Sequence, residues 1–332
     1  MTAELISGTR TAQETLTWAR ELVEPGLRAA VAQLPPSMRP VAAHHFGWTD
    51  GGGSGKAMRP ALVLLAAQAV GAPAERALPA AAAVELVHDF SLVHDDVMDG
   101  DATRRHRATV WKEFGTSTAI LAGDALLALA TRLLAERPDE LRALLTAVLD
   151  LIEGQSADLA FERRETVGAD ECRAMAAGKT GALLGCACAL GALAGGGSPA
   201  QVARLRAFGK EVGLAFQFAD DLLGIWGEPA VTGKPVYSDL RNRKKSLPVV
   251  AALASDTGEG RELAALYRKP GTLSAPELAR AAELVERAGG RAWSRAPADE
   301  LLARARTQLR ALEPKPRAEL EALAQLITRR DH

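Results

Sequence analysis

Apolar positions along most of this chain recur at helical spacing, and few stretches alternate polar with β-branched residues, so the pattern favours helices over sheet. Alanine and leucine dominate and aromatics make up only 4%, which points the same way. Helices are predicted over 11–34, 56–70, 78–99, 118–136, 140–161, 169–193, 199–223, 246–255, 258–267, 275–288, 290–312 and 316–329. Glycine and proline clusters at 51–53, 195–197, 227–235 and 314–316 read as helix stops and loops. None is long enough for a domain linker, so residues 1–332 are expected to form a single all-α domain. Several central segments are apolar on most faces and belong inside a bundle, with the more charged final helices around it.

Composition narrows the classes. A chain of 332 residues with 48% hydrophobic and 24% charged residues has the profile of a globular protein with a large core. Its net charge of -1, from 40 basic and 41 acidic residues, gives no global attraction to nucleic acid. The start, MTAELISGTR, lacks a basic segment followed by an apolar run, and stretches such as 121–130 are too short to span a bilayer. A cytoplasmic protein with no transmembrane segment is expected. Cys172, Cys186 and Cys188 lack paired CxxC spacing and read as packing residues.

Two acidic clusters carry the candidate chemistry. Val93-His94-Asp95-Asp96-Val97-Met98-Asp99 follows an apolar helix, and Asp95 and Asp99 lie one turn apart on one face with Asp96 beside them. Like charges at this spacing repel, and divalent cations shared with phosphate oxygens would relieve that repulsion. Solubilising aspartates at an exposed helix end are the plainer alternative. Far along the chain, Phe216-Gln217-Phe218-Ala219-Asp220-Asp221 repeats the arrangement, with Gln217 one turn before Asp221. Two such helix ends facing each other would make a polar mouth above an apolar interior, able to clamp a diphosphate through metal ions.

Arg104, Arg105, His106 and Arg107 follow the first cluster, Lys56 and Arg59 open an early helix, and Lys179, Lys234, Lys244 and Lys245 come later. Arginine offers phosphate a fixed fork of donors and lysine a compact mobile charge. Solvated charge is the alternative for these runs. His88 shares a face with Asp95, although a satisfied core histidine fits as well. Phe90, with small Ser91 beside it, lies about one and a half turns before Asp95, at the depth of a pocket floor; simple core filling is the other reading. Gly51 to Lys56 fails as a phosphate loop by spacing and by Ala57, and Lys179-Thr180-Gly181 stands in a helical setting without the partners of a serine hydrolase.

With Gly55-Lys56-Ala57-Met58-Arg59-Pro60, His88 through Asp99 with Arg104-Arg105, Lys179-Thr180, Phe216-Gln217 with Asp220-Asp221, and Lys244-Lys245-Ser246-Leu247-Pro248, the chain resembles the trans-isoprenyl diphosphate synthases, the polyprenyl synthetase family. The likeness implies an isoprenoid synthase-type helical bundle around a central apolar cavity, acting as a homodimer on isopentenyl diphosphate and an allylic diphosphate. It implies that Asp95, Asp96, Asp99, Asp220 and Asp221 hold Mg2+, three ions once diphosphate is bound. Arg104, Lys179, Thr180, Lys234 and Lys244 or Lys245 would steady the allylic diphosphate. Lys56, Arg59, His88 and Arg105 would receive isopentenyl diphosphate, and Gln217 would line the reacting site.

The family commonly has DDxxD at the second motif, whereas this chain has Asp220-Asp221-Leu222-Leu223-Gly224, which removes a carboxylate and favours a looser helix end. An aromatic at Phe90, small Ser91 and no insertion between Asp95 and Asp99 resemble geranylgeranyl diphosphate synthases and imply a C20 product. A farnesyl (C15) or longer-chain synthase, a terpene cyclase, and a noncatalytic prenyl diphosphate-binding partner subunit are the competing readings. Lys56, Arg59 and His88 speak against the cyclase, since only a second diphosphate needs that additional anion site.

Overall fold

The computed structural model describes residues 8–49, 55–228 and 235–328. Lys234 and the glycine run 51–53 lie outside them. Among the described residues the fold is all-α, apart from one two-stranded hairpin of two residues per strand. The residues group into two compact units: Met1–Val148 with Leu183–Gly209 and Gln308–Leu323, and Leu149–Ala182 with Lys210–Thr307 and Ala324–His332.

The first unit is built on α1 (Ala12–Val31), α2 (Arg39–Phe46), α3 (Met58–Ala69), α4 (Leu78–Asp99), the hairpin β1 (Thr103–Arg104) and β2 (Arg107–Ala108), α5 (Val110–Phe114) and α6 (Thr116–Leu133). Helix α4 packs chiefly along α6, with α3 and α1 against it. Ala61 through Ala67 on α3 are all fully buried, so this helix is apolar all round because it has no solvent face. The predicted span 78–99 coincides with α4, which Gly100 closes in the left-handed conformation at φ 69°. Helix α2 was not predicted; Pro40 stands at its second position, where the missing N–H is unneeded.

Helix α7 (Pro138–Arg163) is followed by α8 (Ala169–Ala176), a π-helical turn (Ala177–Gly181), α9 (Ala182–Ala194) and α10 (Pro199–Trp226). The helix predicted over 169–193 runs without a break from Ala169 to Ala194, widened to one π turn around Lys179 and Thr180. By length and composition Ala169–Ala194 is apolar enough to cross a membrane, but 78% of its apolar window is buried inside the protein.

The second unit continues with α11 (Ser238–Arg241), α12 (Leu247–Leu253), α13 (Gly258–Arg268), α14 (Ala275–Arg287) and α15 (Gly290–Gln308); α16 (Pro314–Thr328) follows. Its core joins Ile225, Leu240, Val249, Leu263, Leu278 and Leu284. Ser274 caps α14 through a reciprocal capping box with Glu277.

Candidate active site

In the first unit, the last turn of α4 presents Asp95, Asp96 and Asp99 with different exposures. Asp96 is only 1% exposed, Asp95 is half-buried and Asp99 is open to solvent. The β1–β2 turn brings a cation to this helix end. Arg105 and His106 both take positive φ, 52° and 63°, as a tight two-residue hairpin turn requires, and Arg104 on β1 reaches back to Asp96. Arg104 Nε and Nη2 stand 2.7 and 2.6 Å from Asp96 Oδ1. Burial raises the Asp96 carboxyl above its ordinary range, and Arg104 offsets that only in part. Asp96 Oδ2 is buried with no hydrogen-bond partner.

Arg105 turns the other way. Its guanidinium lies so close to Gly55 that a Cβ there would stand 2.9 Å from Nη2, and Lys56 follows directly in sequence. Arg59 and Arg105 share one electrostatic neighbourhood with Glu85 and His88 of α4. Arg59, His88, Arg104 and Arg105 thus share one electrostatic neighbourhood, together with three residues that the sequence did not single out: His45, Glu85 and Asp89. His45 Nε2 lies 3.0 Å from the buried Asp89 Oδ1.

Burial and the Asp89 charge push Glu85 up to about 7, against the pull of Arg59 and Arg105. Burial, then Arg59, Arg105, His45 and Arg104, hold His88 well below its ordinary 6.5 and keep it neutral. Between the unfolded values of 4.5 and 6.5 the folded chain therefore carries a proton on Glu85 that the unfolded chain lacks, and lacks one on His88 that the unfolded chain carries. The two contributions cancel. Glu85→Gln removes one of them, so its stability is expected to fall with decreasing pH below 6.5 by up to about 1.4 kcal/mol per unit more than wild type. Urea melts at pH 5, 6 and 7 would show it; parallel pH profiles for the two proteins would refute it.

Phe90 is buried and meets the His94 ring edge-on at 5.1 Å. His94 Nε2 approaches the Ile120 carbonyl at 3.0 Å, and a Cβ on Gly123 would collide with its imidazole. Phe90 and His94 therefore occupy the α4 face turned to α6, while the Ser91 hydroxyl donates to the His88 carbonyl at 2.7 Å.

In the second unit the site residues form a chain of hydrogen bonds. Thr180 Oγ1 donates to Gln217 Oε1 at 2.7 Å, Gln217 Nε2 donates to Asp221 Oδ1 at 2.7 Å, and the Leu247 N–H donates to Asp221 Oδ2 at 2.8 Å. Lys179 Nζ pairs with Asp158 at 2.7 Å. Asp158 was missed because nothing local marks it; its partner comes from another helix. The π turn matters here, since such an inserted residue is an irregularity often kept at functional positions. Gly154 on α7 permits the approach: a Cβ there would collide with the Lys179 backbone. One turn before Asp158, Gln155 is buried with neither amide atom hydrogen-bonded.

Asp220 is exposed and Asp221 only 3% exposed. Burial and Asp239 push Asp221 up to about 7, although Lys244 and its two hydrogen bonds oppose the shift. For Lys244, burial works against the charge, yet Asp239, Asp221, Asp158 and Asp220 overcome it and hold the ammonium firmly protonated. Lys245 points elsewhere, donating to the Phe161 carbonyl at 3.1 Å, and burial lowers its pKa. Of the two lysines, Lys244 is the one whose charge interacts with the carboxylates, while Lys245 is engaged by the Phe161 carbonyl. A cavity of about 750 Å³ in this unit, bordered by Gly154, Met175, Gly178, Leu214 and Leu301, is lined by none of the predicted site residues.

Among the described residues no group of three carboxylate, His or Cys side chains converges into a metal site of its own. Mg2+ keeps several waters and takes one or two carboxylates plus substrate phosphate oxygens. The hard oxygen donors on α4, one of them buried and unpartnered, fit such an ion.

Two helices thus carry carboxylates near their C-terminal ends, with Arg104 paired to Asp96 in one unit and the Lys244 charge acting on Asp221 in the other. The sequence profile of polyprenyl synthetases matches residues 51–285. The chain is 48% identical over 338 residues to the (2E,6E)-farnesyl diphosphate synthase of Mycobacterium tuberculosis, covering 97% of this chain and 94% of the relative. It is also 48% identical over 326 residues to a geranylgeranyl diphosphate synthase of the same organism, covering 94% and 92%. A crystal structure of a polyprenyl synthetase from Streptomyces coelicolor A3(2) superposes with a TM-score of 0.89 at 45% identity, over 94% of this chain and 98% of the other. This chain belongs to the polyprenyl synthetase family, the trans-isoprenyl diphosphate synthases, and is a trans-prenyltransferase.

Proposed function

We propose that this enzyme condenses isopentenyl diphosphate with an allylic diphosphate and makes a C20 product. The observation that carries the reading is that each unit ends an apolar helix in carboxylates and holds its own cation against them, Arg104 on Asp96 and Lys244 beside Asp221. Asp95, Asp96, Asp99, Asp220 and Asp221 would hold Mg2+, three ions in all, which supplies neutralising charge to the diphosphate as its carbon–oxygen bond breaks.

The chain's residues divide the remaining work. Arg104, Lys179 and Lys244 hold the allylic diphosphate and stabilise the charge that develops on the leaving oxygen. Lys56, Arg59 and Arg105, with neutral His88, hold isopentenyl diphosphate. Thr180, Gln217 and Asp221 are locked to one another, so the amide keeps one orientation towards the reacting carbons. The isopentenyl double bond attacks the allylic carbon, the new carbon–carbon bond forms, and the departing diphosphate accepts the proton that is lost. Apolar walls keep water from the cation. The two units would act as one catalytic domain.

Purified protein with Mg2+, isopentenyl diphosphate and C5, C10 or C15 starters tests the reading. Chain elongation supports it; cyclic hydrocarbon from a starter alone would replace it with a cyclase, and absence of turnover with a noncatalytic binding partner. The C20 assignment rests on Phe90 as floor of the chain pocket. Phe90→Ala is expected to shift products to longer chains, with a stability loss of about 3 kcal/mol; Phe90→Leu is the milder control. An unchanged product length at comparable turnover would exclude Phe90 as the floor.

Homodimer formation has a candidate surface. Leu145, Leu149 and Ile152 repeat at four- and three-residue spacing on α7 and are 40%, 67% and 48% exposed, an apolar stripe expected to be covered by a second copy. Leu149→Glu is expected to shift the protein to monomers in sedimentation; an unaltered dimer would place the interface elsewhere. The cytoplasm is the proposed location.

A further inference from the structure

Gly224 occupies the position at which the family commonly places its third carboxylate, and the helix runs regularly through it to Trp226. The space that a side chain would fill there is taken. A Cβ on Gly224 would collide with the Asp239 carboxylate, whose Cγ and both oxygens all lie within 2.7 Å of that point. Asp239 is delivered by α11, whose first residue, Ser238, donates its hydroxyl to the Gly224 carbonyl at 3.2 Å. Tyr237, just before it, takes a left-handed φ of 64° and turns the chain into this short helix. Asp239 is also the strongest carboxylate influence on Lys244 and raises Asp221, so its charge acts within the same cluster.

We propose that Asp239 supplies the missing third carboxylate of the second acidic cluster, from α11 across the Cα of Gly224, and that Gly224 is glycine to admit it. This rests on the reading of Asp220 and Asp221 as the Mg2+–diphosphate wall. The sequence departure at Gly224 is then an exchange of which chain segment carries the acid, with the cluster charge retained. Asp239 acts as a positioning residue: its charge sets how the Lys244 ammonium and the Asp220–Asp221 pair meet the metal-bound diphosphate.

The test is Mg2+-dependent binding of inorganic diphosphate, followed by calorimetry on the full chain, with melting temperature recorded for each variant. Asp239→Asn keeps the volume and removes the charge. It is expected to raise the Mg2+ concentration needed for half-saturation roughly tenfold to a hundredfold, the usual cost of losing a support to a metal ligand set. Gly224→Asp alone is expected to bind at least as poorly, because its side chain meets Asp239. The exchange, Gly224→Asp with Asp239→Ala, clears the collision, returns the acid to α10, and is expected to recover most of the lost affinity. A wild-type midpoint retained in Asp239→Asn, with only the melting temperature lowered, would show a structural counter-ion of Lys244 and overturn the proposal; so would a folded exchange variant no better than Asp239→Asn. Wild-type protein that binds no diphosphate with Mg2+ would instead remove the underlying reading of the wall.

Discussion

Asp220→Ala is expected to lower kcat roughly a thousandfold while leaving the unfolding free energy within about 0.5 kcal/mol, and Asp221→Ala to lose both activity and stability. The contrast follows from burial. Asp220 is solvent-exposed, near the C-terminal end of α10. A carboxylate that holds metal against a departing diphosphate contributes several kcal/mol to the transition state and almost nothing to the core. Asp221 accepts from the Leu247 N–H and from Gln217. Removing it strands the buried Leu247 N–H, at about 1–3 kcal/mol, and frees the half-buried Gln217 amide to turn away from Thr180. Steady-state kinetics with paired urea melts separates the two. Equal stability losses would mean that Asp220 also has a structural role, and full activity in Asp220→Ala would remove it from the metal wall.

Legibility of these features from sequence followed how local their causes are. Helix α4 could be read to the residue, because an apolar run leads into it and Gly100 closes it. Both acidic clusters and the cations Arg59, Arg104 and Arg105 were visible because their residue types and spacing already state the chemistry. The π turn was invisible: its stabilising contact is Gly154 on α7 against the Lys179 backbone, a tertiary approach with no local mark. Asp158 was overlooked for the same reason, standing far along the chain from Lys179, and Asp239 lies in a stretch that carries the family likeness but gives no local mark of its role. The expectation of a looser helix end at Gly224 considered only the absent side chain; in the folded protein another segment fills that space.

Lys244→Met is expected to cost about 1–3 kcal/mol and at least a hundredfold in kcat/KM for the allylic substrate, whereas Lys245→Met costs about 1 kcal/mol and leaves turnover within a few-fold. Lys245 gives up one hydrogen bond to the Phe161 carbonyl. Lys244 is influenced by Asp239, Asp221, Asp158 and Asp220, and without it the buried Asp221 and its neighbour Asp239 lose the positive charge that offsets their repulsion. The pH dependence identifies the cause. Asp221, ordinarily near 3.8, stands at about 7 with Lys244 present, and Lys244 is the largest influence holding it down. Deleting that ammonium moves the carboxyl higher still, so the folded variant keeps its proton where the unfolded chain has already lost it. For a group raised on folding, stability is lost as pH climbs through the folded value. Wild type completes that loss around pH 7, while Lys244→Met continues to lose stability above it, so the gap between the two proteins should widen from pH 7 to 9. A gap independent of pH would mean that Lys244 contributes packing of its aliphatic stem, with no charge held on Asp221.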